Sequence, residues 1–335
     1  MSNKLRAAKL LLHSFLPRNR DRIEVNRFST DVGISYDLYS PSTDPTQTFI
    51  MVYGLDYAGE KDPRIIKFAA AYASNGFQVA IPDLPGLKSL SIETNDIKIL
   101  CVLAKHLHHE FGQPVGFTSF SIGGGLSLVA AANIAPELLI DPILLFSPHY
   151  SIMDLWEEWQ SRELDIPTND RKLEHYIWNK MALAYRGMDR LSLSKEEKAE
   201  FLTMLFNYCA EPSLEKKKQD YARLFSGREI PGYGDFPIPE PEQKALSPLG
   251  KLSKVKGRVL ILHDINDLII PPSHSSRIID ELQLVQDENS QNHRLLITPL
   301  LSHVTVNNSW RVLDVFPILD IIGEIFTPSN LVQSE

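Results

Sequence analysis

Between Val115 and Gly125 the chain reads Val-Gly-Phe-Thr-Ser-Phe-Ser-Ile-Gly-Gly-Gly. An apolar strand-like run ends in small residues around Ser121, and a helix-like segment, Leu126 to Asn133, follows at once. That order describes a nucleophile elbow, a sharp strand-to-helix turn that lifts one side chain out of a sheet. Such a turn strains its central residue and needs small neighbours so that strand and helix can approach. Ser121 holds the central place, with Ser119 two positions before it and Gly123 two after. The pattern is G-x-S-x-G with serine for the first glycine. Alone it fits an ordinary glycine-rich turn carrying a surface serine equally well, so its meaning depends on partners elsewhere.

The rest of the chain supplies a setting for such a turn. Arg22 to Phe28 and Ile34 to Tyr39 read as short alternating strands, and Thr48 to Tyr53 as a buried strand ending at Gly54. Asp62-Pro63 caps a helix that Gly76 closes. Phe77 to Ile81 is a further strand, Pro82 to Gly86 a loop, and Thr94 to His109 a helix leading into the elbow strand. Pro142 to Phe146 is another buried strand. From Pro148 to Gly257 helical signals run without strands, and Ser151-x-x-Asp154 and Ser194-x-x-Glu197 have the form of capping boxes. Trp156, Trp159 and Trp178 fall in this stretch. Alternation resumes with strand Arg258 to Leu262, helix Ser273 to Leu284, strand Arg294 to Ile297 and helix Asn307 to Phe326.

Strands separated by helices on both sides of an all-helical insertion predict an α/β fold with a mostly parallel central sheet wrapped by helices. The expected organisation is an N-terminal helix over 1–18, a core formed by 19–147 and 258–335, and a helical cap inserted over 148–257. The cap is expected over the carboxyl edge of the sheet, where ligands bind in such folds.

With 335 residues the chain can bury a full core, and its net charge of -8 lacks the basic face that nucleic acid demands. Cys101 and Cys209 form neither a disulfide framework nor a metal-ligand spacing, and read as packing residues in a reduced, cytoplasmic compartment. Lys4, Arg6 and Lys9 precede an apolar run that His13 and Ser14 interrupt, with no small-residue cleavage site after it. Residues 3–16 therefore read as an amphipathic helix. Packing on the domain is the commoner fate of such a helix; resting on a membrane surface as a peripheral contact is the other.

A serine hydroxyl becomes a useful nucleophile only beside a base that is oriented by an acid. In this architecture the three arrive in the order Ser, Asp or Glu, His, each after a strand. Ser121, Asp267 and His303 meet that order, each just past a predicted strand end. Asp264 is the fallback acid, closer to its strand. His263 reads as structural, shaping the acid loop. His149 stands near the expected pocket, and His106, His108 and His109 read as a helix face with no metal site. Acyl transfer also needs donors for an oxyanion. The backbone N–H groups of Ile122, which starts the elbow helix, and of Leu55, after Gly54, are the candidates.

Over nearly its whole length the chain resembles the α/β-hydrolase superfamily. Asp62-Pro-Arg64 with Phe68-Ala, Ile81-Pro-Asp-Leu-Pro-Gly86 and Ser119-Phe-Ser-Ile-Gly123 resemble a branch of largely uncharacterised microbial hydrolases. The superfamily's His-Gly oxyanion loop is Tyr53-Gly54 here. Its H-G-x-x-D acid loop is His263-Asp264-Ile-Asn-Asp267, and its Gly-His before the last helix is Ser302-His303. The resemblance implies a serine hydrolase that cleaves a carboxylic ester without metal or cofactor, its small-molecule acyl substrate apolar in keeping with an aromatic-rich cap. An acyltransferase or amidase with the same triad, or a non-catalytic fold that binds a small ligand, are the alternatives.

Overall fold

The computed structural model describes residues 2–15, 23–134, 138–161, 170–208, 211, 213–284, 293–303, 305–306 and 312–327. Cys209, the start of the expected final helix at 307–311 and the position after His303 lie outside them. Helix α1 (Asn3–Phe15) precedes an antiparallel pair, β1 (Glu24–Ser29) and β2 (Ser35–Ser40). Next come β3 (Thr48–Val52), α2 (Pro63–Ala73), β4 (Gln78–Pro82), a single turn α3 (Pro85–Lys88) and α4 (Thr94–Phe111). The elbow region is β5 (Val115–Phe120) and α5 (Ile122–Ile134), followed by β6 (Ile140–Phe146). Helices α6 (Ile152–Ser161), α7 (Asp170–Arg186), α8 (Lys195–Asn207), α9 (Leu214–Phe225) and α10 (Glu240–Leu246) fill the interval before β7 (Val259–Asp264). The chain then runs through α11 (Pro272–Leu284), β8 (Arg294–Thr298), a two-residue ribbon β9 (Leu301–Ser302) with β10 (Thr305–Val306), and α12 (Val312–Gly323).

Eight strands form one sheet in the order β1-β2-β4-β3-β5-β6-β7-β8. Strand β2 runs antiparallel to both its neighbours, β1 and β4, and every other neighbouring pair in the sheet is parallel. Strands β3, β4, β5, β6 and β7 are buried at every residue, which is why their sequences read as apolar runs with no alternation. The register brings their carboxyl ends level: Val52 pairs with Ser119, Phe120 with Phe146, Phe146 with Leu262, and Asp264 with Thr298. The loops that leave these ends therefore converge on one edge.

Helix α5 runs through the middle of the protein and is buried at every residue except Asn133. The sequence reading starts it at Leu126, because three successive glycines form helices poorly in isolation. It starts at Ile122, since those glycines are where other groups press closest. A Cβ on Gly123 would lie 2.1 Å from the Tyr53 carbonyl oxygen, and one on Gly125 would lie 2.2 Å from the His149 ring.

The helices between β6 and β7 carry a second apolar core. Ile177, Met181, Phe201, Leu205, Leu224 and Phe225 pack together there, with Leu90 joining from the sheet side. Trp156 and Trp159 belong instead to the main core, where Trp156 meets the Tyr233 ring edge-on and Trp159 meets it tilted. The Ser194 capping box forms as its spacing predicts. At Ser151 only half of the box exists, since Asp154 turns to Arg277 instead of reaching back.

Helix α1 lies against α2 and α12, burying Ala7 and Leu10. Lys4 pairs with Asp320 at 2.6 Å, and the Arg6 guanidinium sits 4.2 Å from the centre of the Phe326 ring. Leu5 and Leu12 remain exposed on its other face. Among the described residues no helix is long and apolar enough to cross a membrane.

Candidate active site

Ser121 stands between the last residue of β5 and the first of α5, with φ of +55°. A side chain in that left-handed region is strained and persists only where its surroundings fix it. They do so here. The Ser121 N–H bonds the Phe146 carbonyl at 2.8 Å, and the Ser121 carbonyl accepts the Gly124 N–H at 2.9 Å. Gly123 lets the turn press against the end of β3. Ser119 occupies the place of the missing glycine because its hydroxyl is used. Ser127 donates to the Gly123 carbonyl at 2.8 Å, so Ser119 donates to Ser127 Oγ, 2.7 Å away.

Past the end of β7, Asp267 closes a tight loop. Its Oδ1 accepts the N–H groups of Ile269 and Ile270 at 2.9 and 3.0 Å. Its Oδ2 lies 2.6 Å from His303 Nδ1, and His303 Nε2 lies 2.8 Å from Ser121 Oγ. The structure thus brings Ser121, His303 and Asp267 into one hydrogen-bonded chain, all three side chains buried. Burial alone would raise the Asp267 carboxyl; the charge of His303 and hydrogen bonds from His263 and His303 outweigh it and hold it well below the ordinary carboxylate range. An ionised Asp267 can only accept, so Nδ1 of His303 carries the proton. Nε2 is then left with its lone pair toward the serine hydroxyl.

His263 sits behind this chain. Its Nε2 donates to the Ile270 carbonyl at 2.8 Å and lies 3.5 Å from Asp267, while Nδ1 meets Ser275 Oγ at 2.6 Å. It shapes the loop, as read from the sequence. Asp264 does not face the imidazole. Its Oδ2 accepts the backbone N–H of His303 at 3.1 Å instead. His149 lies under Gly125 and bonds the Leu246 carbonyl at 3.1 Å; burial pushes it down to about 4, so it is neutral near pH 7. His106 bonds the Tyr36 hydroxyl, and His108 the Gln113 carbonyl. Among the described residues no three His, Cys, Asp or Glu side chains are grouped to hold a metal ion.

Leu55 follows Gly54, whose α-carbon lies so near the elbow that a Cβ would come within 2.9 Å of Ser121 Cβ. Among the described residues neither the Leu55 nor the Ile122 N–H donates to a protein acceptor. Tyr53, which stands where the resembled family has histidine, anchors this loop by accepting the Leu84 N–H. Beside Asp267, a narrow recess of about 30 Å³ opens between Leu268 and the inserted helices, walled by Trp159, Tyr176 and Tyr233 with Lys180 at its margin. The Trp159 indole N–H donates to the Ile269 carbonyl at 2.6 Å, tying α6 to the acid loop.

Sequence reasoning did not find Ser147. It directly follows β6, with φ of +49°, and donates its hydroxyl to the His303 carbonyl at 3.1 Å. A small residue at a buried strand end is the only signal the sequence offers.

No family model matches this chain, and no curated protein does. Solved structures match widely at low identity. A hormone-sensitive lipase from a metagenome library superposes with a TM-score of 0.53 at 13% identity, over 96% of this chain and 91% of the other. A puromycin hydrolase gives 0.50 at 13%, over 92% of this chain and 40% of the other. The Pyrococcus horikoshii acylaminoacyl peptidase gives 0.44 at 15% over 86% of this chain, which spans 38% of the length of that peptidase. The likeness is one of fold.

Proposed function

We propose that this chain, a member of the α/β-hydrolase superfamily by its fold, is a serine hydrolase that cleaves a carboxylic ester with an apolar acyl group. One observation carries the reading: a serine held at positive φ on an elbow, 2.8 Å from a histidine that is itself 2.6 Å from a buried, ionised aspartate. That arrangement activates a hydroxyl and has little structural purpose otherwise. The aromatic side chains that the inserted helices bring beside Leu268, Trp159, Tyr176 and Tyr233, are in keeping with an apolar acyl group. That the fold neighbours include a hormone-sensitive lipase and a puromycin hydrolase is in keeping with hydrolysis.

In the proposed reaction, Ser121 Oγ attacks the ester carbonyl carbon as its proton passes to His303 Nε2. The carbonyl oxygen becomes an oxyanion, received by the N–H groups of Leu55 and Ile122. Each such donor is worth about 3 kcal/mol in the transition state. The C–O bond to the alcohol then breaks, and the alcohol leaves with the proton from His303. Water gives a proton to the same nitrogen and attacks the acyl carbon; the bond to Ser121 Oγ then breaks, His303 returns the proton to Oγ, and the acid leaves. Asp267 keeps the imidazole in the Nδ1–H tautomer throughout and stabilises the imidazolium.

The test is labelling by a fluorophosphonate probe, followed by hydrolysis of p-nitrophenyl esters of graded chain length. Wild type should label and turn over, Ser121→Ala should do neither, and His303→Ala and Asp267→Asn should label at least ~1,000-fold more slowly. A folded wild type that neither labels nor hydrolyses any ester overturns the reading.

A further inference from the structure

We propose that Ser147 and Asp264 are positioning residues that clamp the main chain of His303 and so aim its imidazole at Ser121. The inference rests on the hydrolase reading above and assigns to it two residues outside the triad. His303 has φ of +55°, a conformation that residues with a Cβ avoid unless something holds them there. Two side chains grip it from opposite sides. Asp264 Oδ2 accepts its N–H at 3.1 Å, and Ser147 Oγ donates to its C=O at 3.1 Å.

Both grips come from the carboxyl ends of adjacent strands, β6 and β7, which pair Phe146 with Leu262. Neither is free to drift. Asp264 Oδ1 also accepts the Asn266 N–H at 3.0 Å, and the Ser147 N–H bonds the Leu262 carbonyl at 2.9 Å. Both residues are fully buried. Ser147 is itself at φ of +49°, so one strained residue holds another. Together with the two ring contacts, the clamp fixes His303 at four atoms: N, O, Nδ1 and Nε2.

The geometry makes the main-chain half of this grip matter to the ring. Rotation about φ of His303 swings Nε2 as a rigid arm. A misplacement near 1 Å between reacting groups costs on the order of 100-fold in rate. With the clamp released, the backbone relaxes toward the right-handed region and carries the ring away from Ser121 Oγ. Asp264 therefore serves the site through the main chain of the base and leaves the imidazole to Asp267.

Ser147→Gly tests this directly, because glycine removes the hydroxyl and at the same time relieves the positive φ. The expected result is a melting temperature no lower than wild type, an unchanged KM, and a kcat for ester hydrolysis reduced ~10- to 100-fold. Asp264→Asn keeps one acceptor for the two N–H groups of Asn266 and His303 and should retain more of kcat than Asp264→Ala, which keeps none. A second readout needs no substrate: the far-downfield proton resonance of His303 Nδ1–H, shared with Asp267, should weaken in Ser147→Gly. Wild-type kcat and wild-type resonance in Ser147→Gly overturn the clamp. Failure of the underlying reading has a different signature, a wild type that never labels at Ser121, and the resonance then decides the clamp by itself.

Discussion

The hydroxyl of Tyr53 accepts the backbone N–H of Leu84 at 2.8 Å, joining the loop after β3 to the loop after β4. Both residues are buried, so this N–H has no water to turn to. Burial pushes the phenol far above its ordinary value, which keeps it a neutral hydroxyl. Tyr53→Phe preserves the ring and orphans the donor. A loss of about 1–3 kcal/mol is expected. Urea unfolding followed by tryptophan fluorescence measures it, and a midpoint equal to wild type would mean that the loop had found another acceptor.

Gly54 is needed for space. An added Cβ would sit 2.9 Å from Ser121 Cβ and 3.4 Å from its Oγ. Since the elbow is held from both sides, the loop that carries Leu55 must give way. Gly54→Ala should slow fluorophosphonate labelling ~10- to 100-fold while far-ultraviolet circular dichroism stays that of wild type. Labelling at the wild-type rate would remove Leu55 from the oxyanion site.

At the opposite edge of the sheet, Arg258 and Asp141 join the starts of β7 and β6. Asp141 accepts from the Arg258 backbone N–H at 2.7 Å and from its guanidinium at 2.8 and 3.1 Å, almost fully out of solvent. Arg258→Met leaves a buried carboxylate without its partner. A cost of about 3–5 kcal/mol is expected in chemical unfolding. The kcat of the folded fraction should not change, because the pair stands at the amino end of the strands.

His274 makes a pH-dependent contribution whose sign follows from its contacts. Burial pushes it down to about 3, and its Nδ1 accepts the Tyr150 N–H at 3.0 Å, which a proton there would displace. The unfolded chain binds that proton near 6.5, so the unfolded state gains protons first as pH falls. The stabilisation is therefore complete above pH 6.5 and is lost progressively toward pH 3, by at most ~1.4 kcal/mol per pH unit. Wild type and His274→Gln, unfolded in urea at pH 7.5, 5.5 and 4.5, should differ by less at each step. A constant difference would show that His274 is protonated in the fold.

Much of the site could be read from the sequence because its parts sit beside local signals. Ser121 lies between an apolar run and glycines, and Asp267 and His303 each follow a recognisable strand. Parallel register does the rest, bringing those strand ends level. What escaped has no local signature. The turn Pro85–Lys88 reads as a loop; it is held as a helix by Asp96, whose carboxylate accepts the N–H groups of Gly86 and Leu87 at 3.2 and 2.8 Å. Ser147 meets a residue 156 positions away, through a bond that only the folded sheet creates. The tryptophans of the inserted helices also divide in a way that periodicity does not reveal: Trp159 joins the main core, while Trp178 packs on the second.

The separate core of the inserted helices partitions the mutational load of the chain. Substitutions around Phe201 and Leu205 fall on helices whose core meets the loops at the strand ends through Leu55, Tyr57 and Leu90. Drift there can remodel the Tyr176 side of the recess, generation after generation, while Trp159 and Tyr233 are kept by the main core. Change in the lining of the recess and constancy of the serine thus draw on two cores that meet at Leu55.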